Sequence, residues 1–167
     1  DAHRFGGSPP ILLAGVLVDT TRGLEATSDG DLVAHAVSDA LLGSLALGDL
    51  GDHFPSSDPA MVGVDSMEIL ARVGRKVEDR AHLIHNVDVT VISQSIRIAP
   101  HRDAMRERLA SALRIDRSSV SVKATSTDSM VACAAMADAV LPTPRPISKA
   151  RWGRGWASSG RCAISRI

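Results

Sequence analysis

Segments with helical periodicity alternate with segments of strand periodicity over residues 1–141, and this alternation constrains the fold most strongly. Apolar residues at helical spacing predict helices over residues 31–47, 66–81 and 100–113. Buried or alternating apolar runs predict strands over residues 11–18, 84–93 and 118–125, followed by an apolar element over 131–141. This order indicates an α+β (α/β sandwich) fold, in which a mixed β-sheet has helices packed on one face.

Two polar segments separate the predicted elements. Residues 19–30 form a loop before the first helix, where Ser28 or Asp29 is expected to cap the helix and Gly48 to end it. Residues 49–65 contain two prolines and two glycines, which predicts a long loop. Loops of that length in compact domains are usually functional or mobile, so this segment is a candidate part of a site.

Charge is distributed unevenly along a chain that is neutral overall. Residues 142–167 hold six of the nineteen basic residues, both tryptophans and no acidic residue. We therefore predict a domain over residues 1–141, followed by a basic and mobile extension over residues 142–167. An alternative is an arm that binds nucleic acid or a membrane surface. Short basic tails are commonly only solvated, so we expect neither partner.

Composition narrows the class of protein further. Hydrophobic residues make up 44% of the chain and aromatic residues only 2%, so aliphatic side chains must fill the core. No apolar run approaches the roughly 18–20 residues of a membrane span, and the chain shows no secretory leader. Two cysteines, Cys133 and Cys162, are too few for a disulfide scaffold. These features predict a reducing, cytoplasmic location.

The first candidate for chemistry is the segment Asp1-Ala2-His3. In an extended segment, residues i and i+2 point to the same face, which places a carboxylate beside an imidazole. His35, on the first predicted helix, could supply a third donor. An Asp/His/His set with an open fourth position is the ligand set of a catalytic zinc site. From spacing alone, a chance Asp-x-His pair and an ordinary surface histidine stay open as the alternative.

The segment 27–31, at the start of the same helix, is a second candidate. Free N–H groups at a helix start suit a phosphate, and Ser28 adds a hydroxyl. The alternative is an ordinary N-cap whose acidic residues complement the helix dipole. Asp31 and Asp39 flank His35 at i−4 and i+4, so either could orient the imidazole or simply be solvated.

Two further polar segments could bind ligands. Residues 123–128 place an ammonium, hydroxyls and a carboxylate at a strand end, which suits a phosphate with a divalent metal. The alternative is a strand that runs into a polar turn. Residues 48–55 offer carboxylates to sugar hydroxyls, or form a solvated turn.

In order along the chain, five segments resemble one family: DAHRFGG, SDGDLVAHAVSDALLGSLALGDLGDHFP, DSMEIL, NVDVTVISQ and VSVKATSTD. The family is that of 2-C-methyl-D-erythritol 2,4-cyclodiphosphate synthases, enzymes of the non-mevalonate isoprenoid pathway. The resemblance covers residue 1 to about 141 and implies a homotrimer with active sites between subunits. It also implies a phosphorus–oxygen lyase, in which the 2-phosphate of 4-diphosphocytidyl-2-C-methyl-D-erythritol 2-phosphate attacks the β-phosphorus and releases CMP.

The resemblance also assigns residues. It implies that Asp1, His3 and His35 bind Zn²⁺ and that Asp128 binds a second divalent cation, Mg²⁺ or Mn²⁺. It places Thr27, Lys123 and Asp128 in catalysis. It places a larger set against the substrate, with Ser28 at the 2-phosphate end, Asp49 and Gly51 at the methylerythritol hydroxyls, and residues 93–99 of a neighbouring subunit at cytosine. That set is Ser28, Asp49, Gly51, Phe54, Ser93, Arg97, Ile98, Ala99, Thr125 and Ser126.

Four departures from the family pattern stand out. Thr27 replaces a His that contacts phosphate, so weaker phosphate binding is expected. Ile96 replaces a Pro, which predicts a looser cytosine segment. Met130 runs directly into Val131, where the family has a segment resembling GFTGRGEG. We expect that segment to belong to the protein rather than to be deleted, because the chain also begins within the family's first strand. The basic tail has no counterpart.

Three functions follow from this pattern. The first is the synthase. The second is a non-catalytic trimeric homologue that binds nucleotide or isoprenoid diphosphate, which Thr27 and the interrupted Gly-rich segment favour. The third is a zinc-dependent phosphoesterase, in which water attacks instead of the 2-phosphate. Because the metal-ligand and acidic positions are intact, we predict the synthase.

Overall fold

The computed structural model describes residues 1–26, 28–126 and 132–141, and their central feature is a four-stranded mixed sheet. The strands are β1 (Ala2–Arg4), β2 (Ile11–Leu13), β3 (Val16–Asp19), β4 (Asn86–Ser93), β5 (Val120–Thr125) and β6 (Ala132–Val140). The helices are α1 (Leu32–Ser44), α2 (Leu50–His53), α3 (Ser66–Glu78) and α4 (Arg102–Leu113). Short 3₁₀ turns lie at Pro59–Met61, Ala99–His101 and Arg117–Ser119.

The sheet order β1-β6-β4-β5 makes β1 and β5 the two edges. Strands β4 and β5 are parallel, whereas β6 runs antiparallel to both β4 and β1. Cys133 of β6 is paired with His3 on one side and with Ser93 on the other. The carboxyl ends of β1, β4 and β5 therefore lie at the same end of the sheet.

One face of the sheet is buried against α1 and α4, and α3 packs on both helices. On that face Val87, Val89 and Val91 of β4 are fully buried, as the alternating pattern predicts. The opposite face is not covered by any described helix, and Met136 and Val140 of β6 are 62% and 52% exposed there. The predicted α+β fold with helices on one sheet face is confirmed.

The predicted strand over residues 11–18 is wrong in one respect: it is a hairpin, formed by β2 and β3. Ala14 and Gly15 form its turn with φ values of 52° and 65°. Two positive φ angles define the tight turn that matches strand twist, but Ala14 is apolar and gives no turn signal. The Asp31 carboxylate accepts both N–H groups of this turn, so a residue distant in sequence stabilises it.

The ends of the first predicted helix also differ from the prediction. Asp31, rather than Ser28 or Asp29, caps α1, and its carboxylate accepts the N–H groups of Val33 and Ala34. The helix ends at Ser44 rather than near Gly48. The predicted loop over residues 49–65 contains α2 and a 3₁₀ turn.

The remaining predicted elements are found with shifted ends. Helix α3 stops before Ala81, whose φ is 58°, and β5 follows a 3₁₀ turn instead of beginning at residue 118. None of the helices in the described part of the chain is long and apolar enough to cross a membrane. The tail over 142–167 and the interrupted segment after Met130 lie outside the described residues.

Candidate active site

The three predicted metal ligands lie together where the edge strand β1 meets α1. Single donor atoms of Asp1, His3 and His35 all lie within 4.8 Å of one another. The Asp1 Oδ2 atom is 3.0 Å from His3 Nε2 and 3.1 Å from His35 Nδ1. The fold therefore brings Asp1 and His35, which are 34 positions apart, close together. His3 presents its Nε2 atom to Asp1, whereas His35 presents its Nδ1 atom.

A backbone carbonyl fixes the ring of His3. Its Nδ1 atom lies 2.8 Å from the carbonyl oxygen of Glu25. Because a carbonyl can only accept, Nδ1 carries the proton and Nε2 presents its lone pair toward Asp1. This is the usual way in which a metal-ligating histidine is oriented.

Two hydroxyls contact the outer nitrogen of His35. Its Nε2 atom lies 2.9 Å from Ser66 Oγ and 3.4 Å from Ser28 Oγ. Burial lowers the pKa of His35, which favours the neutral imidazole that a metal ligand requires.

The hypothesis that Asp31 or Asp39 orients this ring is wrong. The Asp31 carboxylate is taken up by backbone N–H groups, including those of Val33 and Ala34. Asp39 Oδ1 accepts the N–H of Leu50 at 2.8 Å. The partners of His35 Nε2 come instead from the loop before α1 and from the start of α3.

This donor set fits a metal ion. Two neutral imidazole nitrogens and a carboxylate oxygen converge, and hydrogen bonds fix both rings from behind. Such a set leaves a coordination position open to a ligand, which is the arrangement of catalytic rather than structural sites.

The start of α1 does not offer a phosphate the free N–H groups that the sequence suggested. Asp31 occupies the N–H groups of Val33 and Ala34, so the N-cap alternative is confirmed with a different capping residue. Ser28 remains next to His35, and its Oγ accepts the N–H of Gly30 at 3.3 Å.

A small cavity of about 70 Å³ adjoins His35. Ser28 and Phe54 line it together with the apolar side chains of Leu50 and Met61. Asp49 and Gly51 lie close by in sequence, and Asp49 caps α2 by accepting the N–H of Asp52 at 3.1 Å. Two predicted substrate residues, Ser28 and Phe54, therefore share a cavity with a predicted metal ligand.

The other predicted residues lie away from this cluster, toward the β5 edge. Thr125 ends β5 and Ser126 follows it, whereas Asp1 precedes β1 at the other edge. Three strand-to-strand spacings separate the two edges, which is about 14 Å. One chain therefore does not bring Thr125 next to Asp1.

Lys123 lies on the open face of the sheet, where its Nζ donates a hydrogen bond to Asp88 Oδ2. This contact with Lys123 lowers the pKa of Asp88 below its usual range. The catalytic role assigned to Lys123 stays a prediction. Thr27 and Asp128 lie outside the described residues.

The predicted cytosine segment follows β4. Within it, Ile98 is buried, whereas Gln94 and Arg97 are exposed. Ile96 is also buried, and its N–H donates to Ser93 Oγ at 3.3 Å. The looser segment expected from Ile96 in place of Pro stays a prediction. The segment continues into the 3₁₀ turn that begins at Ala99.

Two residues near His35 were not predicted as part of the site. Ser66 contacts the His35 Nε2 atom, and the Asp29 carboxylate accepts the Ser66 hydroxyl. Ser66 was assigned only as a helix start, although it lies in the quoted segment DSMEIL. The sequence offered only a serine at the start of a predicted helix, and its burial, which creates the need for a partner, is seen only in the structure.

The comparisons with known proteins agree with this fold. A 2-C-methyl-D-erythritol 2,4-cyclodiphosphate synthase of Vibrio vulnificus (strain CMCP6) is 48% identical over 128 residues, covering 77% of this chain and 81% of that protein. A solved 2C-methyl-D-erythritol-2,4-cyclodiphosphate synthase in its CDP-bound form superposes with a TM-score of 0.79 at 30% identity, covering 85% of this chain and 96% of that one. The bifunctional IspDF of Campylobacter jejuni gives a TM-score of 0.80 at 36% identity over 84% of this chain, which spans only 40% of that protein.

The fold and site thus define a class, that of α+β proteins in which a carboxylate and two imidazoles from an edge strand and a helix converge on one candidate metal site. The sequence model of the YgbB family matches residues 1–141, and the chain belongs to that family.

Proposed function

We propose that this chain acts as a 2-C-methyl-D-erythritol 2,4-cyclodiphosphate synthase, an enzyme of the lyase class in isoprenoid precursor biosynthesis. The observation that carries the proposal is the convergence of Asp1, His3 and His35 in a chain of this family. The names of relatives at 45–48% identity support it.

In the proposed reaction, an oxygen of the 2-phosphate attacks the β-phosphorus of the diphosphate and forms a new P–O bond. The bond from that phosphorus to the oxygen bridging it to CMP breaks, and its electron pair leaves with CMP. The product is the cyclic diphosphate, and no water is consumed. Phosphoryl transfers of this kind depend on positioning and on neutralising anionic oxygens, so a protein nucleophile is not required.

We propose Zn²⁺ for Asp1, His3 and His35, because two imidazoles and one carboxylate suit that ion. A second divalent cation, Mg²⁺ or Mn²⁺, is proposed for Asp128. Bound cations supply Lewis-acid polarisation of phosphate oxygens. Thr27 and Lys123 complete the proposed catalytic set by offering a hydroxyl and an ammonium to the phosphates.

The chain's own residues then hold the substrate. The Ser28 hydroxyl, which lies 3.4 Å from His35 Nε2, is proposed to donate to a phosphate oxygen of the methylerythritol end. Asp49, Gly51 and Phe54 are proposed to hold that end, since Phe54 and Ser28 line the same cavity. The nucleotide end is proposed for a second group: Thr125 and Ser126 at the phosphates, and Ser93, Arg97, Ile98 and Ala99 at cytosine.

The separation of these two groups supports a homotrimer with active sites between subunits. Asp1 lies at the β1 edge and Thr125 at the β5 edge, so one site that uses both draws them from different copies. The open sheet face offers apolar surface for such contacts through Met136 and Val140.

Two further proposals concern the whole chain. Residues 1–141 form the synthase domain, supported by the extent of the family match, and residues 142–167 form a basic extension. The location is the cytoplasm of a bacterium, supported by bacterial relatives.

The deciding experiment is ³¹P NMR of the protein with 4-diphosphocytidyl-2-C-methyl-D-erythritol 2-phosphate, Zn²⁺ and Mg²⁺. The synthase gives coupled cyclic-diphosphate signals together with CMP. CMP with a linear bisphosphate identifies the phosphoesterase, and binding without turnover identifies the non-catalytic homologue. A parallel sample with His35→Ala shows whether turnover requires the metal cluster.

A further inference from the structure

We propose that Ser66 is a positioning residue for His35 and that Asp29 sets the direction of the Ser66 hydroxyl. This inference rests on the proposed metal site, because it concerns how one ligand is presented to the ion. The Ser66 Oγ atom lies 2.9 Å from His35 Nε2, on the side of the ring opposite Asp1.

Asp29 contacts Ser66 at two points. One carboxylate oxygen accepts the Ser66 hydroxyl, and the other accepts the Ser66 N–H at 3.0 Å. Ser66 is fully buried, so water does not compete for its hydroxyl. One chain of hydrogen bonds thereby connects Asp29 in the loop before α1, Ser66 at the start of α3 and the imidazole of His35 on α1.

The chemistry of these groups allows one arrangement of protons. An ionised carboxylate only accepts, so the Ser66 hydroxyl donates to Asp29 and leaves its lone pairs for His35. The proton of the neutral imidazole therefore lies on Nε2, and the Nδ1 lone pair points toward Asp1 and the metal position. The hydrogen bonds from Ser66 to Asp29 and from His35 to Ser66 thus select the His35 tautomer that can coordinate a metal ion.

Ser28 does not provide the same function. Its Oγ lies farther from Nε2, at 3.4 Å, and it accepts the N–H of Gly30. No described contact joins Ser28 to a carboxylate that would fix the direction of its hydroxyl.

The substitution Asp29→Asn tests the direction of the proton chain. When the side-chain amide oxygen accepts the Ser66 N–H, the NH₂ group replaces the oxygen that accepts the Ser66 hydroxyl and the Asp31 N–H. It then donates to Ser66 Oγ, and the contact with the Asp31 N–H is lost. The Ser66 hydroxyl turns and donates to His35 Nε2, which places the imidazole proton on Nδ1, where it blocks coordination. Ser66→Ala removes the contact and leaves both tautomers accessible.

The matched control is Asp39→Asn. Asp39 lies on α1 one turn after His35, carries the same charge and acts on His35 through space as Asp29 does. Its carboxylate instead accepts the N–H of Leu50. It therefore reports the effect of losing a nearby negative charge without loss of the proton chain.

Zinc affinity is measured for the purified protein and the three variants by competition with a chelator, with thermal unfolding as the check of folding. Loss of an outer-shell partner costs roughly 10–100-fold in metal affinity. We expect Asp29→Asn and Ser66→Ala to lose that much, and Asp39→Asn to stay within about twofold of the parent protein.

A spectroscopic signature gives a second readout. In the zinc-loaded parent protein, the His35 Nε2 proton should give a slowly exchanging downfield ¹H resonance, which Ser66→Ala removes even though its fold is intact. If Ser66→Ala binds zinc as tightly as the parent protein and keeps the resonance, the role of Ser66 is overturned, whereas the proposed metal site stands. Equal losses in Asp29→Asn and Asp39→Asn assign the effect to charge and overturn the role of Asp29. Failure of the parent protein to bind zinc overturns both this inference and the proposed metal site.

Discussion

The two edges of the sheet are prepared for ligands in different ways. At the β1 edge, each imidazole of the candidate metal site is fixed from behind, one by the Glu25 carbonyl and one by Ser66. At the β5 edge, Thr125 is exposed, and the Lys123 side chain is 55% exposed and paired with Asp88. The difference teaches that contacts within one chain fix the candidate metal ligands, whereas the residues predicted to bind the nucleotide phosphates remain exposed at the other edge.

The largest effect is expected from His35→Ala, which breaks the β1 edge itself. It removes one of three donors, so zinc affinity should fall by more than the roughly 10–100-fold typical of an outer-shell loss. Turnover should be abolished with it. Elemental analysis after dialysis checks the zinc content, and full occupancy in this variant would contradict the ligand assignment.

Met136→Arg tests whether one active site combines the β1 edge of one copy with the β5 edge of another. Met136 is 62% exposed on the open sheet face, so the substitution should leave the chain folded but prevent copies from packing there. We expect monomers that still bind zinc. They should no longer turn over substrate, because the proposed metal ligands and nucleotide-binding residues of one site come from different copies. Sedimentation and zinc analysis of the same sample test this, and an active monomer would disprove the division of the site.

Asp31→Ala tests the buried support of the β1 edge. Its carboxylate accepts four N–H groups, two from the hairpin turn and two from α1. Loss of these acceptors should lower the free energy of unfolding by about 3 kcal/mol. Urea unfolding measures the change, with Asp39→Ala as the control, since Asp39 accepts a single described N–H, that of Leu50. Equal losses of unfolding free energy in the two variants would show that the four N–H contacts of Asp31 stabilise the fold no more than the single contact of Asp39.

Lys123→Met probes the β5 edge with a small effect on stability. Both partners are partly exposed, so losing the pair with Asp88 should cost less than about 1 kcal/mol at pH 7. Lys123 lowers the pKa of Asp88 in the folded chain, so this stability is present above the ordinary carboxyl pKa of about 3.9 and is lost as the pH falls below it. Unfolding free energies at pH 7 and in acid should therefore converge between the variant and its parent. A gap that persists in acid would exclude the ion pair as the cause, and a large loss of turnover at pH 7 would support a catalytic role.

Removal of residues 142–167 should have the smallest effect. The proposed site and the open sheet face both lie within residues 1–141, so assembly and turnover should be unchanged. Sedimentation and the ³¹P assay on the shortened chain check this expectation. Monomers in place of trimers would assign the tail to the assembly.

Much of the fold was predictable because it rests on local periodicity. Val87, Val89 and Val91 alternate as a half-buried strand must, and the helices that cover them repeat at helical spacing. The hairpin turn at Ala14 was not predictable, because its stabilising acceptor is Asp31, 17 residues away. Spacing also suggested the pairing of Asp1 with His3, whereas the partner of His35 Nε2 required the tertiary contact between α1 and α3.

The pairing of β1 with β6 has a consequence for folding thermodynamics. Ala2 is paired with Ala134, so two of the three candidate metal donors are held in place only after the chain has closed a loop of nearly its whole described length. A metal ion that joins Asp1 and His3 to His35 therefore binds the closed state and not the open one. At a free concentration 1,000 times its Kd, such an ion adds about 4 kcal/mol to the stability of the folded chain, so chelation should lower the melting temperature without altering any core contact.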